Sequence, residues 1–140
     1  MIIFVRPATS EDSENFTKWY INSPSFDPNF HLLETYTLAA FRKDKILGYM
    51  VVESRESSQV LFCFVPNPGN SNLESASACR EFFKTVVTLG FSSGKGEIFF
   101  CGNVEGTNKI ASHYFTEIVD PEKKLFEGLP TYGLRLEDIK

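Results

Sequence analysis

At 140 residues the chain has the size of one ordinary domain with a full hydrophobic core. Apolar residues make up 42% and charged residues 23%, which excludes a disordered chain. A net charge of −4 and a pI near 5.2 argue against binding a phosphate backbone, which needs clustered Lys and Arg, so no nucleic-acid partner is expected. Cys63, Cys79 and Cys101 show no metal-ligand spacing, so no metal is expected, and an odd number cannot all pair within one chain. No run is long and apolar enough to span a membrane, and the opening Met-Ile-Ile-Phe-Val-Arg-Pro is too short for a signal peptide. The expected setting is a reducing cytoplasm without a membrane partner.

Ile2 to Val5 reads as a strand ended by Arg6 and Pro7. Thr9 and Asp12 have the spacing of a capping box, and a helix follows to about Asn22 with Phe16, Trp19 and Tyr20 on one face. Asn22 to Pro28 is a loop, and Phe30 to Glu34 is a short helix or extended chain. Tyr36 to Phe41 and Ile46 to Ser54 form a hairpin about the Arg42–Lys45 turn, with Gly48 marking a bulge or a close backbone approach. Gln59 to Val65 is a nearly continuous apolar strand, as the middle of a sheet requires.

Pro66 to Asn72 is a loop. Leu73 to Leu89 reads as a helix capped by Ser71 or Asn72, with Glu74 in its first turn and Gly90 as its stop. Glu97 to Cys101 is a short strand. Lys109 to Val119 reads as a helix capped by Asn108, and Leu125 to Gly128 and Tyr132 to Leu136 are the last strands. A helix between two apolar strands implies a right-handed crossover, whereas the hairpin implies antiparallel pairing. The fold class is therefore α/β (α+β): one domain with a mixed, mostly antiparallel central sheet flanked by helices.

Three segments carry a resemblance. Val5-Arg6-Pro7-Ala8-Thr9 opens the chain; Leu38-Ala39-Ala40-Phe41, a charged turn and Ile46-Leu47-Gly48 make a hairpin; Asn108-Lys109-Ile110-Ala111 leads to His113-Tyr114-Phe115. In this order and spacing they resemble the GNAT superfamily of acyl-CoA-dependent N-acyltransferases over nearly the whole chain. The resemblance implies acetyl-CoA as cofactor and a small-molecule or protein amine as acceptor. It also implies that acetyl-CoA lies beside Phe64 and Val65, with its pyrophosphate on the loop and helix start at Gly69, Asn70, Ser71, Asn72 and Leu73, and its pantetheine beside Asn108 or Asn103.

The loop departs from the family pattern of Arg or Gln, two residues, Gly, one residue, then Gly or Ala. It carries Gly69 at a different spacing, no Lys or Arg from Pro66 through Cys79, and two prolines without N–H groups. Tyr114 is the candidate acid for the leaving thiolate, although the usual aromatic position falls on Phe115. His113 is a second candidate base. Glu53 is the nearest carboxylate to take a proton from the amine, directly or through water, and His31 and Glu34 fall where the acceptor site is shaped. Three readings follow. The chain is an N-acetyltransferase; it is a catalytically inactive binding or assembly module of the same fold, such as a phage accessory or virion protein, with a homo-oligomeric or assembly partner; or it reached this element order independently, with no splay in the sheet.

Overall fold

The computed structural model describes residues 2–23, 35–94, 96–102, 104–118 and 130–135. The positions of His31, Glu34 and Asn103, and the strand expected at 125–128, lie outside them. Strand β1 (Phe4–Pro7) leads through a 3-10 turn (Ser10–Asp12) into α1 (Ser13–Ile21). Then come β2 (Thr35–Arg42), β3 (Lys45–Ser54), β4 (Ser58–Pro66), α2 (Asn72–Ser93), β5 (Glu97–Cys101), α3 (Glu105–Ala111), β6 (Thr116–Ile118) and β7 (Thr131–Arg135). The strands form one sheet in the order β1-β2-β3-β4-β5-β7-β6, in which β4 and β5 run parallel and every other pair antiparallel. Among the described residues no helix is long and apolar enough to cross a membrane.

Alternation along β3 assigns the two faces. Met50 and Val52 join Leu61, Phe64, Ile98 and Phe100 beneath α2, which buries Ala78, Cys79, Phe82, Phe83 and Val86 against them. Phe83 is the centre of this side, edge-on to Phe100 at 5.1 Å and to Phe115 at 5.3 Å. Tyr49 and Val51 join Cys63 and Val65 on the opposite face, beneath α1. Phe16 and Trp19 of α1 meet the Tyr49 ring at 5.8 and 5.5 Å, the apolar face that their spacing predicts.

A buried polar knot fixes α1 to the sheet. The Asp12 carboxylate accepts the Thr9 N–H at 2.8 Å, the Arg6 guanidinium at 2.8 Å and the Tyr49 hydroxyl at 3.0 Å. The acidic half of the expected capping box is thus formed, and it is tied across to β3. The Arg6 guanidinium, then the Thr9 amide and the Tyr49 hydroxyl, hold the Asp12 carboxyl well below the usual carboxylate range despite its desolvation. Burial, then the Asp12 carboxylate, pushes the Tyr49 phenol up to about 12. All three cysteines are free and buried, and burial pushes the Cys63 thiol up to about 12, so they are packing groups and not nucleophiles.

Two helix assignments need correction. Helix α2 passes through Gly90 to Ser93, and the residue that follows, Gly94, has φ +75°. Gly94 is therefore the glycine that stops the helix, because a left-handed φ carries no steric cost without a Cβ. Helix α3 begins at Glu105 with Val104 as its N-cap, so Asn108 lies inside it and does not cap it. The helix ends at Ala111, Tyr114 and Phe115 lie in the following turn, and Thr116–Ile118 is a strand where a helix to Val119 was expected.

Gly94→Ala should lower unfolding free energy by about 1 kcal/mol in urea titration, with the denaturant slope unchanged. Asp12→Ala should cost about 1–3 kcal/mol, set by the stranded Tyr49 hydroxyl and Thr9 amide because Arg6 reaches solvent. Asp12 has a depressed folded pKa, so its contribution is complete above the unfolded value of about 3.9 and is lost as pH falls toward the folded one. The difference between wild type and Asp12→Ala should therefore hold steady above about pH 4.5 and shrink below it.

Candidate functional site

The sheet forks in its middle. The parallel β4–β5 ladder runs from Ser58↔Glu97 to Leu61↔Phe100. Beyond it β4 follows β3, as far as Gly48↔Pro66, while β5 follows β7 to Cys101↔Thr131. The fork begins at a bulge: Val52 pairs with Leu61 and Val51 with Cys63, so Phe62 is an inserted residue. Such an insertion bends its strand and increases the local twist, at the point where pairing with β5 ends. Gly48 supports the diverging end. A Cβ there would lie 3.0 Å from the Val65 carbonyl oxygen and 3.3 Å from Pro66 Cα, which is the close approach expected for this glycine.

A cavity of about 380 Å³ lies at the open end of the fork. Phe64 and Pro66 of β4 form one wall. Asn72, Ser75 and Ala76 from the first turns of α2 form the second, and Val104, Gly106, Thr107 and Ile110 from α3 and its lead-in form the third. Its size lies within the range of about 300–1,000 Å³ typical of small-ligand sites, and its walls are apolar with a few hydroxyl and amide groups. Of the residues expected to bind cofactor, Phe64 and Asn72 line it directly.

The other expected cofactor residues do not line it. Asn67 anchors the loop, its N–H to the Leu47 carbonyl at 3.0 Å and its amide to the Ile46 carbonyl at 2.9 Å. Asn67 also takes the Gly69 N–H at 2.8 Å. The Asn70 amide donates to the Leu47 carbonyl at 2.7 Å and to the Ser75 hydroxyl at 3.1 Å. Ser71 is the cap of α2. Its hydroxyl accepts the Glu74 N–H at 3.2 Å, while the Glu74 carboxylate accepts the Ser71 N–H at 3.0 Å. Lys45 reaches from the hairpin to Glu74 at 3.0 Å. The Ser71 amide, then Lys45, holds the Glu74 carboxyl below its ordinary range. Leu73 projects outward, 63% exposed. Val65 is buried on the α1 face.

Asn108 donates to the Gly102 carbonyl at 3.0 Å, from inside α3 between the cavity residues Thr107 and Ile110. Its Oδ1 and that of Asn70 are buried acceptors with no partner among the described residues. Neither residue is among those that line the cavity: Asn108 lies on α3 beside Thr107, and Asn70 lies in the loop before α2. The apolar walls match the methylene and methyl groups of a ligand arm. A pyrophosphate fits less well, because the Glu74 carboxylate already sits on the α2 N-terminus where an anion would bind.

The two catalytic candidates stand apart. Tyr114 packs on Phe83 at 5.9 Å, on the α2 face. Phe83 is seven residues beyond Ala76, about 10 Å along the helix. Glu53 pairs with Val60 and forms an ion pair with Arg55. Alternation from Tyr49 and Val51 puts it on the α1 face, about 13 Å back along β4 from Phe64. His113 is exposed in the turn after α3. Among the described residues no three His, Cys, Asp or Glu groups come together.

Sequence reasoning missed Ser75, Ala76, Val104, Gly106, Thr107 and Ile110. Small residues at a helix start were the only signal for Ser75, Ala76, Gly106 and Thr107, and helix starts carry small residues for many reasons. The Ser71-x-x-Glu74 spacing, by contrast, is a capping-box signature visible in the sequence.

With the geometry in view, the comparisons are specific about fold. No sequence-family model matches the chain, and no curated protein sequence matches it. Solved structures do. A GNAT-family acetyltransferase from Staphylococcus aureus superposes with a TM-score of 0.68 at 13% identity, covering 96% of this chain and 99% of that one. A Bacillus subtilis acetyltransferase in complex with CoA gives 0.68 at 11% identity, covering 96% and 99%. A spermidine N-acetyltransferase from Vibrio cholerae gives 0.70 at 10% identity, covering 96% and 94%. The chain has the fold of the GNAT acetyltransferases along nearly its whole length.

Ser71→Ala should lower stability by about 1 kcal/mol through loss of the cap, whereas Glu74→Gln should hold within about 0.5 kcal/mol because Gln also completes a capping box. Thermal melts of the two variants at equal concentration check this.

Proposed function

We propose that the protein is an N-acyltransferase that takes an acyl group from an acyl-pantetheine thioester, acetyl-CoA in the first instance, and transfers it to an amine. The observation that carries the reading is the forked sheet. The β4–β5 ladder stops at Leu61↔Phe100 beside a bulge, and a cavity of ligand size follows. The likeness to a CoA-bound acetyltransferase at that fold supports acetyl-CoA as the donor.

When bound, a thioester supplies an acyl carbon open to attack by an amine and a thiolate that leaves. The walls of the cavity orient the arm and exclude water from it. Asn108 is the proposed hydrogen-bond partner of the arm's amides. As the N–C bond forms and the C–S bond breaks, one proton must leave nitrogen and one must reach sulfur. Glu53 is the proposed acceptor of the first, through water, since it lies on the face opposite the cavity and about 13 Å back along β4 from Phe64. Tyr114 is the proposed donor of the second. A small amine is the proposed acceptor, and a polyamine is the first to try, given that one neighbour is a spermidine N-acetyltransferase.

One observation favours the second reading, a binding or assembly module without catalysis: the Ser71–Glu74 cap occupies the helix end that would meet pyrophosphate. The two readings diverge in one experiment. Millimolar acetyl-CoA should raise the melting temperature of the wild type, because a ligand that binds only the folded state stabilises it. Ala76→Phe, which fills the cavity, should melt normally alone and lose the shift. No shift in the wild type would leave the module reading in possession.

A further inference from the structure

A helix start is normally the place to hold a diphosphate, since its N–H groups and positive dipole end face the anion. In this protein that place is taken by the chain itself. The Glu74 carboxylate lies on the first turn of α2, 3.0 Å from the Ser71 nitrogen, and the Ser71 hydroxyl takes the Glu74 N–H. Lys45 spends its charge on the same carboxylate at 3.0 Å. No Lys or Arg occurs from Pro66 through Cys79, and Pro66 and Pro68 offer no N–H. Asn67 and Asn70, which have the reach to present amides to an anion, are turned inward to the carbonyls of Ile46 and Leu47. Most of the loop's polar side chains are thus engaged internally, and the acidic and basic side chains at the helix end, Glu74 and Lys45, are paired with each other. The cavity just beyond, between Phe64, Ala76 and Ile110, is intact.

We propose that the protein recognises its donor through the pantetheine arm alone, and that the nucleotide diphosphate adds no affinity. This rests on the acyl-thioester reading above and sharpens its substrate class: S-acyl-pantetheine and acyl-CoA are equivalent donors, whatever the distal end of the arm carries. Glu74 is the group that sets this indifference, by occupying the Ser71 N–H and the Lys45 ammonium that a phosphate would otherwise engage.

Titration calorimetry with acetyl-CoA, S-acetyl-pantetheine and adenosine 3′,5′-bisphosphate tests it. The two thioesters should bind within about threefold of each other and the bisphosphate should give no heat at millimolar concentration. Glu74→Gln keeps the cap and removes the charge, so it should tighten acetyl-CoA several-fold relative to S-acetyl-pantetheine. Acetyl-CoA binding about tenfold or more tighter than S-acetyl-pantetheine in the wild type would overturn the inference and leave the acyltransferase reading standing. An unchanged ratio in Glu74→Gln would overturn the role of Glu74. Binding of neither thioester would overturn the acyltransferase reading and this inference with it.

Discussion

The central constraint is that β4 changes allegiance partway along its length. For three residues, Gln59 to Leu61, it is paired on both edges, with β3 and with β5. A parallel ladder buried in mid-sheet would ordinarily continue, since each backbone group taken from water needs a partner. Here the inserted Phe62 bends the strand, β5 stays with β7, and the sheet opens. Gly48 lets β3 lie close enough to carry the diverging end, and α2 and α3 close the other sides of the opening. The cavity thus follows from a backbone register and needs no special side chain to create it.

Each half of the sheet is then held from a different face. On one, α2 packs Phe82, Phe83 and Val86 over β3, β4 and β5 and keeps the opening from collapsing. On the other, α1 is fastened by the Asp12 carboxylate to Arg6, Thr9 and Tyr49. The Arg-Pro-Ala-Thr opening therefore has a physical role in this chain: Arg6 and Thr9 are two of the three residues that donate to one buried carboxylate. Under the proposed function, a thioester arm on the α2 side would meet an amine from the α1 side, with Tyr114 and Glu53 divided between the faces.

Most of the architecture was legible because hydrophobic period marks strands and helices well. The strands read at Tyr36–Phe41, Ile46–Ser54, Gln59–Val65 and Glu97–Cys101 lie within a residue or so of β2, β3, β4 and β5. The Phe62 bulge was not legible, because an insertion inside an unbroken apolar run leaves no trace in alternation. Gly90 and Gly94 are equal as letters, and only a positive φ tells the stop from a passenger. The segment after Asn108 misled for another reason. Ile110, Ala111 and Phe115 keep helical spacing, but Phe115 is drawn into the Phe83 cluster and Thr116–Ile118 into pairing with β7, so tertiary contacts end the helix early. The cavity is illegible for the same reason as the bulge, being made by the separation of strands that each look ordinary.

The central claim is that ligand enters the fork between β4 and β5, and amide chemical-shift mapping tests it most directly. On adding acetyl-CoA to labelled protein, the account predicts that Val65, Ala76, Thr107 and Ile110 move while the α1 amides of Ser13 to Ile21 stay in place. Shifts confined to the opposite face, around Phe99, Gly133 and Arg135, or no shifts at all, would contradict it.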